Sequence, residues 1–173
     1  MTSGWIPDFY ERGPAFAALE AVARELATVD WPACDDLNRL LSRRDPAITN
    51  ACGTPIAFVR QALHQRHFAD KYEPRAYLSG EVQFRDGGWH DLFNALVWLT
   101  FPRSKARLNA RHYQAQQAQT VEGRVNRTPV QDGLTLFDES GVIVASSDAA
   151  LSALLREHAW KELFYVRRSE VTV

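Results

Sequence analysis

Residues 89–113, WHDLFNALVWLTFPRSKARLNARHY, hold the longest apolar run in the chain, and polar residues of catalytic type bracket that run at both ends. Gly88 is placed to cap a helix whose first turn is Trp89, His90 and Asp91. Residues 92–101 are apolar nearly all round, which predicts a buried helix. Pro102 suits the first turn of a new helix better than the interior of an old one, so a bend at Phe101 is expected. His90 and Asn94 stand four apart and share a face. Lys105, Asn109 and His112 fall at i, i+4 and i+7 and form a polar stripe on the second half. A bend at Pro102 would let the two stripes converge on one cavity.

At 173 residues one domain is the expectation, with enough chain for a real core. Five Trp and nine Phe point to a core built on large flat side chains. The net charge of −1 excludes a global field drawing in nucleic acid or an anionic membrane. The charge is uneven, however. Residues 103–127 carry Arg103, Lys105, Arg107, Arg111, Arg124 and Arg127 against Glu122 alone, a local balance of +5. Cys34 and Cys52 fit neither a metal spacing nor a disulfide framework. The N-terminus lacks a basic start followed by an apolar stretch, and no run reaches the roughly 18 apolar residues of a membrane span. A cytoplasmic, bacterial-type protein with no membrane partner is expected.

Along the chain, residues 1–13 read as an extended lead-in with Trp5 and Tyr10 available to dock. Pro14 opens a helix over 15–28, and DDLNRLLSRR reads as a second, with acids at its start and Arg43 and Arg44 at its end, as the helix dipole favours. TPIAFVRQ at 54–61 reads as a strand. His64 and His67, three apart, have a spacing a helix would make metal-competent, although exposed histidines are the simpler reading. Tyr72-Glu73-Pro74 reads as a break, AYLSGEVQF at 76–84 as a strand with an internal glycine, and LTLFDESGVIVAS at 134–146 as a hairpin turning at Gly141. Ser147-Asp148 caps a last helix over 149–158, and 160–166 is amphipathic. The expected architecture is an α+β single domain spanning 1–173. In it a long buried central helix, kinked at a proline, packs with other helices and a small antiparallel sheet or hairpin.

Each polar residue of the central stretch has a structural and a functional reading. Asp91 in a first helical turn can cap backbone N–H groups, or serve in catalysis or metal binding. Asn94 in an apolar helix suits a buried amide bonded to another segment's backbone. His90 and His112 suit hydrogen-bonded or surface histidines, and their co-occurrence with Asp91, Asn94 and Asn109 is what suggests a site. Arg103 and Lys105 oppose the dipole of a helix starting at Pro102; with Ser104 and the free N–H groups of that turn they would form an anion pocket.

The run WHDLFNALVWLTFPRSKARLNARH, together with TPIAFV, YEPRAYLSGEVQFR and LTLFDESGVIVASSD, resembles an uncharacterised bacterial family, the domain of unknown function numbered three thousand and twenty-five. The resemblance covers roughly residues 54–168. It names a relative and implies no activity. It implies relatives that continue past the position of Val173 into a Gly-His-Ala-Leu run with a nearby Glu.

Three functions remain open on the sequence. The first is a module binding a small anion or nucleic acid through Asn94, Arg103, Ser104, Lys105 and Asn109. The second is a metal-assisted, nuclease-like hydrolase with His90, Asp91 and His112 as catalytic residues and candidate ligands of a divalent metal, and Glu81 or Asp138 as spare carboxylates. Its His-Asn-His order resembles the small ββα-metal nucleases, but His90 leads into a helix rather than a hairpin strand. The third is a non-catalytic interaction domain, whose aromatics would serve a partner or a homo-oligomer.

Overall fold

A computed structural model describes residues 4–26, 28–61, 67–123 and 126–171. They fall into two compact units, Met1–Asp138 and Glu139–Val173.

In the first unit the expected extended lead-in contains a 3-10 turn, Phe9–Arg12, and a second such turn, Pro14–Leu19, runs into helix α1, Glu20–Leu26. Trp5 packs on Trp31 and Trp89 with ring centroids 5.3 and 5.4 Å apart, and its indole N–H donates to the Thr28 carbonyl at 2.9 Å. Helix α2, Cys34–Ser42, follows with Asp35 and Asp36 in its first turn. Asn38 on α2 clamps the next strand: its amide donates to the Phe58 carbonyl and its oxygen accepts the Phe58 N–H, both at 2.8 Å.

The sheet is the main departure from expectation. It is two-stranded and parallel, β1 Ala57–Arg60 against β2 Glu81–Phe84, with Phe58 opposite Val82 and Arg60 opposite Phe84. The segment read as one strand over 76–84 is helix α3, Tyr72–Ser79, followed by β2. Pro74 does not break that helix. It sits in the first turn, where an N–H has no intrahelical partner to lose. Gly80 ends α3 with φ +74°, and its carbonyl accepts the Ala57 N–H at 2.9 Å. A Cβ there would lie 2.3 Å from the Pro55 carbonyl oxygen, so only glycine lets the chain pass. A helix between two strands gives the crossover that parallel pairing requires.

Helix α4, Trp89–Thr100, starts after Gly88 and is the buried centre of the unit: Leu92, Leu96 and Trp98 have no exposed surface. Phe101 (φ −123°, ψ 55°) makes the expected bend, and Pro102 opens helix α5, Pro102–Val121.

The expected hairpin over 134–146 is absent as well. Residues Pro129–Ser140 form helix α6, and 141–146 make no strand pairing with any described residue. The reason lies upstream, in a reciprocal capping box. The Gln131 side-chain oxygen accepts the Thr128 N–H at 2.7 Å, and the Thr128 hydroxyl accepts the Gln131 N–H at 3.3 Å, with Pro129 at the first helical position. The alternation at Leu134 and Leu136 is too short to outweigh that start signal.

In the second unit, helix α7, Ala149–Arg156, is capped by Asp148, which accepts the Ala150 N–H at 2.7 Å. A π-helical turn follows at Glu162–Val166. Among the described residues no helix is long and apolar enough to cross a membrane.

Candidate metal centre

The stripe read from the sequence on α5 is real and points inward. Lys105, Asn109 and His112 are buried, with 5%, 2% and 5% of their surface exposed. Their partners come from two elements that were not expected to be helices. From α3, Glu73 receives the Asn109 side-chain amide, which donates to the Glu73 carboxylate at 2.6 Å and to its backbone carbonyl at 3.0 Å. From α6, the Asp138 carboxylate accepts from the Lys105 ammonium at 2.5 and 2.7 Å. Asn94 on α4 donates to the hydroxyl of Tyr72, the neighbour of Glu73 in sequence, so of the stripe expected on α4 Asn94 turns toward α3 and His90 does not.

Burial pushes the Glu73 carboxyl up to about 7, against the lowering effect of the Asn109 hydrogen bond and the Lys105 charge. Burial also lowers His112, with Lys105 and Arg127 acting in the same direction and Asp138 opposing, so the imidazole is neutral at neutral pH. Tyr72 is raised, first by burial and then by Glu73.

His112 Nε2 is buried without a hydrogen-bond partner among the described residues, and the Leu134 backbone acts on the ring in the sense that raises its basicity. A buried ring nitrogen left without a partner is available to a ligand. The Asn109 side-chain oxygen is the second orphaned atom of the cluster. One donor atom from each of Glu73, His112 and Asp138 lies within 4.8 Å of the others. Ligands ~2.1 Å from one tetrahedral ion stand about 3.4 Å apart, so small side-chain rotations would close the three on a divalent cation.

His90 and Asp91 do not join this group. Asp91 accepts the Arg85 backbone N–H and the Arg85 guanidinium at 2.8 Å, and faces His90 Nδ1 at 3.0 Å. Burial pushes its carboxyl up, but the hydrogen bonds from Arg85 and His90 outweigh that and hold it below the usual carboxylate range. His90 itself is exposed. Arg103 and Ser104 are exposed in the first turn of α5, while Lys105 turns inward to Asp138. Of the spare carboxylates, Glu81 pairs with Arg75 at 2.5 Å, whereas Asp138 belongs to the centre. His67 is exposed, and His64 and Arg124 lie outside the described residues.

Glu73 is the residue the sequence reading missed. The available signal was Glu73-Pro74 itself, an acid followed by proline, which opens helices as readily as it ends them.

No curated protein and no solved structure matches the chain. The profile of one family, described as Protein of unknown function (DUF3025), matches residues 56–173, a span that holds every residue of the centre. The chain therefore belongs to that family, and the Glu73–His112–Asp138 centre lies wholly inside the region that defines it.

Proposed function

We propose that the protein is a metal-assisted hydrolase in which Glu73, His112 and Asp138 hold one divalent ion that activates a water molecule. The observation that carries this reading is the grouping of His112, whose Nε2 is buried without a partner, with two carboxylates. One imidazole and two carboxylates suit zinc, manganese or iron, and three protein ligands leave a position open for water. Asn109 fixes the Glu73 carboxylate from outside the ligand set. This reading keeps His112 from the ligands expected on the sequence and replaces His90 and Asp91 by Glu73 and Asp138.

The test is turnover of p-nitrophenyl phosphate and p-nitrophenyl acetate after loading with zinc or manganese. Metal-dependent hydrolysis of either, abolished by His112→Ala and Glu73→Gln in folded protein, is the expected result. Stoichiometric metal with no turnover of any ester would leave a metal-binding protein and remove the hydrolase.

A second reading is favoured by the opposite side of α5. Arg103, Arg107 and Arg111 recur every four residues, are exposed, and join no ion pair among the described residues. Such a stripe suits a nucleic-acid backbone, whose binding weakens steeply with salt. Anisotropy of labelled DNA and RNA at several salt concentrations checks it: replacing the three by Gln should cut the salt slope by roughly 2–3. Undetectable binding at low salt removes this reading.

A further inference from the structure

We infer that the metal centre has a built-in anion subsite at Lys105, and that it takes a small phosphate or the phosphoryl group of a phosphate monoester. The inference rests on the metal reading of Glu73, His112 and Asp138. Lys105 is 5% exposed and its ammonium is clasped by both oxygens of Asp138. Asp138 is also one of the three grouped ligands. The carboxylate that neutralises the buried ammonium is thus the one a metal must share. Without metal, Lys105 is met by the Asp138 carboxylate and acts electrostatically on Glu73, with Arg127 acting on His112. A divalent ion bound there divides the charge of Asp138 between itself and Lys105, leaving a buried ammonium under-compensated beside a dication. Burying charge without a partner is strongly unfavourable, so metal entry creates a demand for an anion at the ion's open position.

Phosphate meets that demand best. Its oxygens can coordinate the ion and accept from an ammonium together, as Lys–metal clamps on phosphoryl groups do. Asp138 keeps 23% of its side chain exposed, while Lys105 and His112 are buried. That burial fits a small phosphate rather than a duplex.

Linkage makes this measurable. If metal and phosphate need one another, each raises the affinity of the other by the same factor, in the range of about fivefold to 150-fold. The experiment is calorimetric titration of manganese into full-length protein with and without inorganic phosphate, for the wild type, Lys105→Met and Asp138→Asn. In the wild type phosphate should tighten manganese binding at least about tenfold. Lys105→Met should bind manganese more tightly than the wild type when phosphate is absent, since the competing ammonium is gone, and should lose the phosphate effect. Asp138→Asn, nearly isosteric and therefore the safer fold, should bind phosphate without metal, because Lys105 has lost its internal counter-ion. Manganese binding that phosphate leaves unchanged, or a phosphate effect that survives Lys105→Met, overturns the subsite while sparing the metal centre. Absence of manganese binding in the wild type overturns both.

Discussion

Lys105 in the first turn of α5 and Asp138 on α6 close a buried ion pair across 33 positions of sequence, with the ammonium 2.5 and 2.7 Å from the two carboxylate oxygens. A cation in a helix's first turn opposes the helix dipole, so this lysine needs a compensating partner. Asp138 provides it, and it can do so only because the segment read as a hairpin strand is helical.

The pair should behave as a coupled unit. Asp138→Leu or Lys105→Met alone should each destabilise the protein by about 2–3 kcal/mol, since each leaves a charge poorly matched inside. The double change Lys105→Met with Asp138→Leu should recover most of that loss. Urea unfolding of the four proteins checks it; strictly additive losses would show that the two residues are not coupled.

Gly80 fixes the crossover between the two strands. Gly80→Ala should cost at least about 1–3 kcal/mol, because the residue must keep φ +74° while its new Cβ meets the Pro55 carbonyl. Thermal unfolding is the measurement, and a neutral effect would mean that the α3–β2 junction is built differently.

The α6 start rests on Thr128 and Gln131. Gln131→Ala should weaken the helix by about 1 kcal/mol and speed amide hydrogen exchange over residues 132–136. Unchanged exchange there would rule out the capping box as the element that sets α6.

Asp91 sets an acid-dependent contribution. Its folded carboxyl is held below the ordinary range, so its stabilisation is complete above the unfolded value of about 3.9 and is lost as pH falls through the lower folded value. Asp91→Asn should cost about 1–2 kcal/mol at pH 7, discounted because Arg85 is largely exposed, and the gap from wild type should close in strongly acid solution. A gap independent of pH would assign the loss to packing.

The central stretch was legible in detail. The Gly88 start, the buried run, the bend at Phe101 and the Lys105, Asn109, His112 stripe all follow from spacing and proline chemistry, and the structure keeps each of them. The errors arose where a short apolar alternation competed with a helix-start signal. Leu134 and Leu136 mimic a strand over four residues, but the Thr128–Gln131 box lies outside that window. Pro74 was read as a break because its tolerated position, a first helical turn, is visible only if the helix is already suspected. Those two misreadings concealed Glu73 and left Asp138 a spare, because both are carried by the misread helices. His90 and Asp91 looked like ligands through their co-occurrence with His112, Asn94 and Asn109 in one stretch. Their actual partner, Arg85, sits just outside the stretch, across the Gly87-Gly88 turn.

Metal content decides the central claim. Purified protein, stripped with a chelator, reloaded with a mixture of zinc, manganese and iron and dialysed, is measured by plasma mass spectrometry beside His112→Ala, Glu73→Gln and His90→Ala. One ion per chain in the wild type and in His90→Ala, lost from His112→Ala and reduced in Glu73→Gln, is the expected result. A wild type that retains no metal, or loses it through His90→Ala and not through His112→Ala, would contradict a centre built on Glu73, His112 and Asp138.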